Sequence, residues 1–270
     1  MTTLFRRPGL RLAPFVAGLW YVAEPLPPGL ELALPTGTMQ LVVNLSRDGI
    51  RYYDGAELEK EHRAGSAVLC GASTRAVGID PADRAGGVGV AFHPGGAVPF
   101  FAPPASALVE PVIALDSLWG TGAGVVRDRL LEQSTPHAVL DTMETILLEQ
   151  VVNPLEADPF LVQAVRRLDR GASVAGVADD LGVATSTFHR RFRAAVGPAP
   201  KAFGRIRRLQ RVLRRVSTSD DDVDWASMAA TYGYFDQAHL INDFRELTGI
   251  TPGRYRPRSA GERNHVPIAG

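Results

Sequence analysis

The sequence predicts an α+β chain, with a β-rich N-terminal part that ends in a helical pair and an all-α C-terminal part of two helix-turn-helix units joined by a long helix. Three observations predict it. Short apolar runs alternate with turn residues from Leu19 to about Val98, apolar residues then recur at helical spacing, and a six-position pattern occurs twice near the C-terminus. At 270 residues the chain is long enough for two domains with separate cores. The boundaries fall at residues 1–155 and 157–258, and residues 259–270 read as a disordered tail.

Each element has a local reason. Gly18–Val22, Met39–Leu45, Ala67–Cys70 and Gly87–Phe92 are strand-like runs, and Pro27-Pro28-Gly29, Asp48-Gly49, Asp54-Gly55 and Pro81-Ala82-Asp83 are turns between them. They predict an antiparallel sandwich or small barrel. Val125, Val126, Leu130 and Leu131, then Val139, Met143, Ile146, Leu147 and Val151, mark two helices, the second entered through Ser134-Thr135-Pro136. Asp158-Pro159 opens the C-terminal half as an N-cap with proline at the first helical position, and Gly171 stops that helix. Ser173 caps a helix to Leu181, and the next helix runs from about Thr185 to Val196. Phe203, Ile206, Leu209, Leu213 and Val216 then line one face of a long helix, which the run Asp220-Asp221-Asp222 breaks before Asp224.

The repeat is specific. Ala178, Gly182, Phe188, Phe192, Gly197 and Pro200 step by 4, 6, 4, 5 and 3, and Ala229, Gly233, Leu240, Phe244, Gly249 and Pro252 step by 4, 7, 4, 5 and 3. The alanine lets two helices cross closely, the glycine makes the turn, and the two large apolar residues anchor the second helix. That helix keeps a free face, and two such modules in tandem point to DNA reading. Charge agrees, because residues 1–159 carry 11 basic against 18 acidic side chains while residues 160–270 carry 18 against 11, 17 of them arginine. Arginine suits bidentate phosphate and base-edge contacts. With Cys70 as the single cysteine, neither an intramolecular disulfide nor a cysteine-built zinc site is available, and the expected location is the cytoplasm, on the nucleoid. No stretch has the length of a membrane span, and the start lacks a signal-peptide core.

The motif residues Ala178-Asp179-Asp180-Leu181-Gly182, Phe188-His189-Arg190-Arg191-Phe192, Tyr232-Gly233-Tyr234, Asp236–Leu240 and Gly249–Tyr255 resemble the DNA-binding domain of the AraC family of bacterial transcription regulators. In the N-terminal half, Leu34-Pro35-Thr36-Gly37, Gly71–Arg75, Val90–Ala97 and Leu115–Gly120 resemble the sensor region of one actinobacterial-type AraC subgroup. The resemblance implies a cupin-like β barrel with a dimerising helical pair, and ligand sensing without naming the ligand.

With Phe188 and Phe192 inward, Ser186, His189, Arg190 and Arg193 face outward, and Arg190 is the guanine-reading candidate. The resemblance implies base contacts at Ser186, His189 and Arg190, and Thr187 joins them as a DNA-binding candidate. On the second reading helix the candidates are Gln237, His239 and Asn242, while Asp243 and Glu246 are expected to repel phosphate. The connecting helix carries Arg205, Arg207, Arg208, Arg211, Arg214 and Arg215, with Arg208 as the phosphate candidate. Trp20, Met39, Gln40, Asn44, Arg75, Phe92 and Trp119 are the expected lining of an effector pocket.

Six scattered histidines lack ligand spacing, and neither a phosphate loop nor a nucleophile with its base is present, so no metal, cofactor or enzymatic activity is expected. The expected partners are double-stranded promoter or operator DNA, a small organic effector, and a second copy docked through the helix of Ile146. RNA polymerase joins them if the chain activates. The rivals are a cupin-like enzyme domain fused to a DNA-binding domain, and an architectural protein that binds DNA without sequence preference. The segment Asp158–Pro257 is expected to fold and bind DNA alone.

Overall fold

A computed structural model of the chain describes residues 3–24, 26, 28–55, 58, 60–120, 122–218 and 223–268. Pro27 and the acidic run 220–222 lie outside the described residues. The strands form two antiparallel sheets, which agrees with the sandwich alternative and not with the barrel that the resemblance implied. The first sheet runs in the order β1 (Thr3–Arg6), β2 (Val16–Val22), β9 (Gly87–Phe92), β4 (Gln40–Asn44), β7 (Ala67–Cys70) and β10 (Val112–Ala114). The second runs β11 (His265–Ile268), β3 (Leu30–Ala33), β8 (Val77–Ile79), β5 (Gly49–Tyr53) and β6 (Glu61–Gly65).

Each sheet has helices packed with it, which is why neither must close on itself. Leu41 and Val43 of β4 and Val88 and Val90 of β9 share a core with Val126 and Leu130 of α2 (Gly122–Leu131) and Leu140, Met143 and Leu147 of α3 (Pro136–Glu149). Thr135 caps α3 through the Ala138 N–H at 3.2 Å, ahead of a proline at its first turn. The short helix α1 (Asp116–Trp119) precedes them. Ile146 is 1 % exposed and belongs to this core, so the expectation that it forms a dimer face is corrected. The apolar stripe of α3 is used inside the protomer.

The C-terminal half follows the anticipated order: α4 (Pro159–Asp169), α5 (Val174–Asp180), α6 (Thr185–Val196), α7 (Pro200–Val216), α8 (Trp225–Tyr232) and α9 (Gln237–Thr248). Side chains of Asp158, Ser173, Asp224 and Asp236 accept backbone N–H bonds at the starts of α4, α5, α8 and α9. Phe188, Phe192 and Phe203 pack with Ala178 and Leu168, while Leu240 packs with Ala229 and Val212.

The two halves are not separate cores. Leu32, Leu34 and Ala76 from the N-terminal half pack with Ile206, Leu209, Leu213, Phe244 and Leu247 from the C-terminal half. Hydrogen bonds join them as well: the Ala76 N–H donates to Leu247 O at 2.9 Å, and the Gln210 side-chain Nε2 donates to Pro35 O at 2.8 Å. The tail departs from expectation too. Its residues His265–Ile268 are β11, paired antiparallel with Leu30–Ala33, and Val266 is buried against the shared core.

Candidate nucleic-acid interface and the adjoining cleft

The two helix-turn-helix units close their turns alike. Val183 N–H donates to Ala178 O at 3.1 Å in the first, and Tyr234 N–H donates to Ala229 O at 2.9 Å in the second. Gly182 and Gly233, at φ 65° and 75°, adopt the left-handed conformation that these turns require. The result is an anchored second helix with one apolar and one polar face in each unit.

On α6, Phe188 and Phe192 are buried, Ser186, Arg190 and Arg193 are exposed, and Thr187 and His189 are half-buried. Among the described residues neither Arg190 nor Arg193 has a carboxylate partner. Its neighbour Arg191 is held, over the Phe160 ring at 3.7 Å and against Asp158 at 3.2 Å.

On α9, Gln237, His239 and Asn242 are exposed. The Phe235 N–H donates to His239 Nδ1 at 3.2 Å, so the neutral ring carries its hydrogen on Nε2 and presents it outward as a donor. Asp243, expected to repel phosphate, is instead buried and paired with Arg205 of α7, Nε to Oδ1 at 2.6 Å. Arg205 also reaches Glu246 at 2.6 Å, and this hydrogen bond holds the Glu246 carboxyl below its ordinary value. The two acids staple α9 to α7, and their charge is opposed locally rather than directed at phosphate.

The connecting-helix arginines divide by task. Arg207 Nε donates to Asp169 Oδ1 at 2.6 Å and Arg211 donates to Asp169 O, so both fasten the C-terminal end of α4. Arg208 lies half-buried with its guanidinium 5.0 Å from the Tyr234 ring centroid. Arg214 and Arg215 are exposed.

The seven effector-pocket candidates are not brought together. Asn44 is fully buried and donates to Asp83 O at 2.7 Å while accepting from the Ser46 and Arg47 N–H groups. Phe92 is core, Trp119 Nε1 donates to Phe100 O at 2.9 Å, Trp20 lies against Gly89, and Gln40 is half-buried within its sheet. Met39 and Arg75 do meet, in a cleft of about 610 Å3 between the halves. Its walls include Ser73 and Glu110 from loops of the N-terminal half and Arg193, Glu246 and Leu247 from the helical half. Sequence reasoning missed this cleft because its two walls are far apart along the chain. Burial pushes the Cys70 thiol up to about 12, leaving it without nucleophilic character at neutral pH.

Among the described residues no helix is long and apolar enough to cross a membrane. Residues 177–258 match the family model of a helix-turn-helix domain, and residues 5–114 match that of a domain of unknown function, DUF6597. A putative AraC-like transcription regulator of Streptomyces lividans is 30% identical over 132 residues, which are 47% of this chain and 40% of that protein. Another, from Streptomyces antibioticus, is 30% identical over 104 residues, 37% of this chain and 34% of that one. The matched region thus spans well under half the length of either relative. A solved structure of ToxT from Vibrio cholerae is similar at TM-score 0.46 and 8% identity, over 88% of this chain and 96% of that one. Its C-terminal segment is thus similar to a helix-turn-helix domain, and the matched regions of both relatives belong to AraC-like transcription regulators.

Proposed function

We propose that the chain is a sequence-specific, DNA-binding transcription regulator whose activity answers to a small organic effector. The observation that carries this reading is the pair of anchored helices α6 and α9, each with a polar face turned away from its core. Arg190 is the base-reading residue, aided by Ser186, Thr187 and His189, while Gln237, His239 and Asn242 act from the second unit. Arg208 serves phosphate from the seam between them. Binding of purified full-length chain to a genomic promoter library, against random duplex at matched salt, tests it. Enrichment of one sequence class supports a regulator, and equal binding of all duplexes supports an architectural protein instead.

The effector site in this reading is the cleft between the halves, since a ligand there touches Met39 and Arg75 on one side and Arg193 on the other. Such a ligand has different contacts whenever the halves move, which is the condition for linkage between effector and DNA. A homodimer, if formed, uses the exposed Val125 and Leu131 of α2 rather than Ile146. Where the regulator activates, RNA polymerase is its further partner.

A further inference from the structure

We propose that the C-terminal segment from Arg256 to Ile268 is a releasable clamp that fixes the DNA-binding half on the N-terminal half. Its attachment is centred on one carboxylate. Glu31 of β3 is completely buried, and Arg258 Nη2 reaches its Oε2 at 2.5 Å, while His265 Nδ1 and Arg84 Nη1 reach its Oε1 at 2.8 and 3.5 Å. Two of those three partners, Arg258 and His265, belong to the tail; Arg84 belongs to the N-terminal half and also holds Glu262 of the tail at 3.1 Å. A buried carboxylate deprived of partners is strongly unfavourable, so the cluster specifies where the tail must sit.

The same segment grips the helical half. Asn264 Oδ1 accepts from Gln210 of α7 at 2.8 Å and Arg263 O accepts from the Tyr255 hydroxyl at 2.7 Å, while Asn264 O accepts from the Leu34 N–H of the N-terminal half at 2.8 Å. Tyr255 in turn packs edge-on to Phe244 of α9, with ring centroids 5.9 Å apart. One strap therefore touches the edge strand of the second sheet, the connecting helix and the second reading helix's anchor. It is attached by four residues of strand and a polar cluster, a smaller unit than either core it joins, and a small edge unit opens before the whole molecule does. The clamp goes beyond the regulator reading, and rests on it only for its consequence at DNA.

The test uses the full chain and two readouts that need no DNA. Native-state hydrogen exchange should show the Val266 and Ile268 amides opening separately from, and more readily than, those of β4 and β9. Glu31→Gln should speed that opening by about tenfold or more. Spin labels at Glu132 and Arg245, in a Cys70→Ala background, should give one narrow distance in the parent chain and a broad distribution in Glu31→Gln or Val266→Asp while far-ultraviolet dichroism stays native. If Val266→Asp fails to fold, Arg258→Met replaces it. Exchange of β11 only with global unfolding, or a narrow distance that survives tail release, overturns the clamp. Altered promoter affinity in the released variants extends it to DNA, and failure of every form to prefer a sequence strikes the regulator reading alone.

Discussion

At the residue scale, the arginines decide what the helical surface can do, and they differ by partner rather than by type. Arg190 stands exposed without an acid, so Arg190→Ala should lose about 1–3 kcal/mol at the preferred site and relax one base position. Binding to a set of singly substituted duplexes measures both. Arg208→Ala should weaken all sequences alike and reduce the slope of log affinity against log salt by about one. The reverse pattern would exchange the two roles. The outward face of α6 was legible in the sequence because Phe188 and Phe192 fix it at i and i+4. Asp243 was not legible, because its burial depends on Arg205, which lies 38 residues away on another helix. Local spacing tells which face is free, whereas only tertiary contact tells which charge is already answered.

At the element scale, helices were readable and sheet closure was not. Caps, turn glycines and apolar periodicity are local, and Asp158, Ser173, Asp224 and Asp236 all stand where helices begin. Which strands meet, and whether the first pairs with the last, depends on distant chain. The stripe of α3 illustrates the ambiguity: an apolar face reads the same whether it meets its own sheet or a second copy. Ile146→Glu should therefore unfold the N-terminal half, at a cost above about 3 kcal/mol, rather than yield a folded monomer. Chemical denaturation followed by tryptophan fluorescence measures this, and a stable folded variant would contradict the packing.

The strand β11 should also respond to acid. Burial opposes ionisation of Glu31, but hydrogen bonds from His265 and Arg258 and the charge of Arg84 outweigh it and hold the carboxyl at about 2. Burial lowers His265 despite the opposing hydrogen bond from Glu31, and the charges of Arg84 and Glu262 act on it in opposite directions. A depressed carboxyl stabilises fully above its ordinary 4.5 and loses that stabilisation as pH falls toward about 2. A histidine depressed from 6.5 is stabilising while neutral, so its contribution also falls on acidification. Both signs agree: detachment of β11, read by exchange of its amides, should grow as pH falls from 7 to 5, and again below 4.5. A clamp that tightens on acidification would refute this assignment.

At the scale of the whole molecule, composition and charge separated an acidic half from a basic one, yet they could not show that the halves share a core. Leu32, Leu34 and Ala76 cover Ile206, Leu209 and Leu213, and nothing in either stretch alone announces the other. The segment 158–257 is consequently expected to keep its helices but to melt below the full chain, because that face loses its cover. Paired thermal melts monitored at 222 nm check it. Equal midpoints would show the shared core to be dispensable.

The pairing of β11 with β3 also has a consequence in time. Glu31 waits for His265, 234 residues downstream, so a ribosome adding about 5–20 residues per second leaves the edge of β3 open for roughly 10–50 s after it emerges. Throughout that interval the newborn chain presents an unpaired strand edge beside a carboxylate that lacks its tail partners, Arg258 and His265, and both invite association with other chains. Glu31, a poor residue to bury early, keeps that edge hydrated until the strand meant for it arrives.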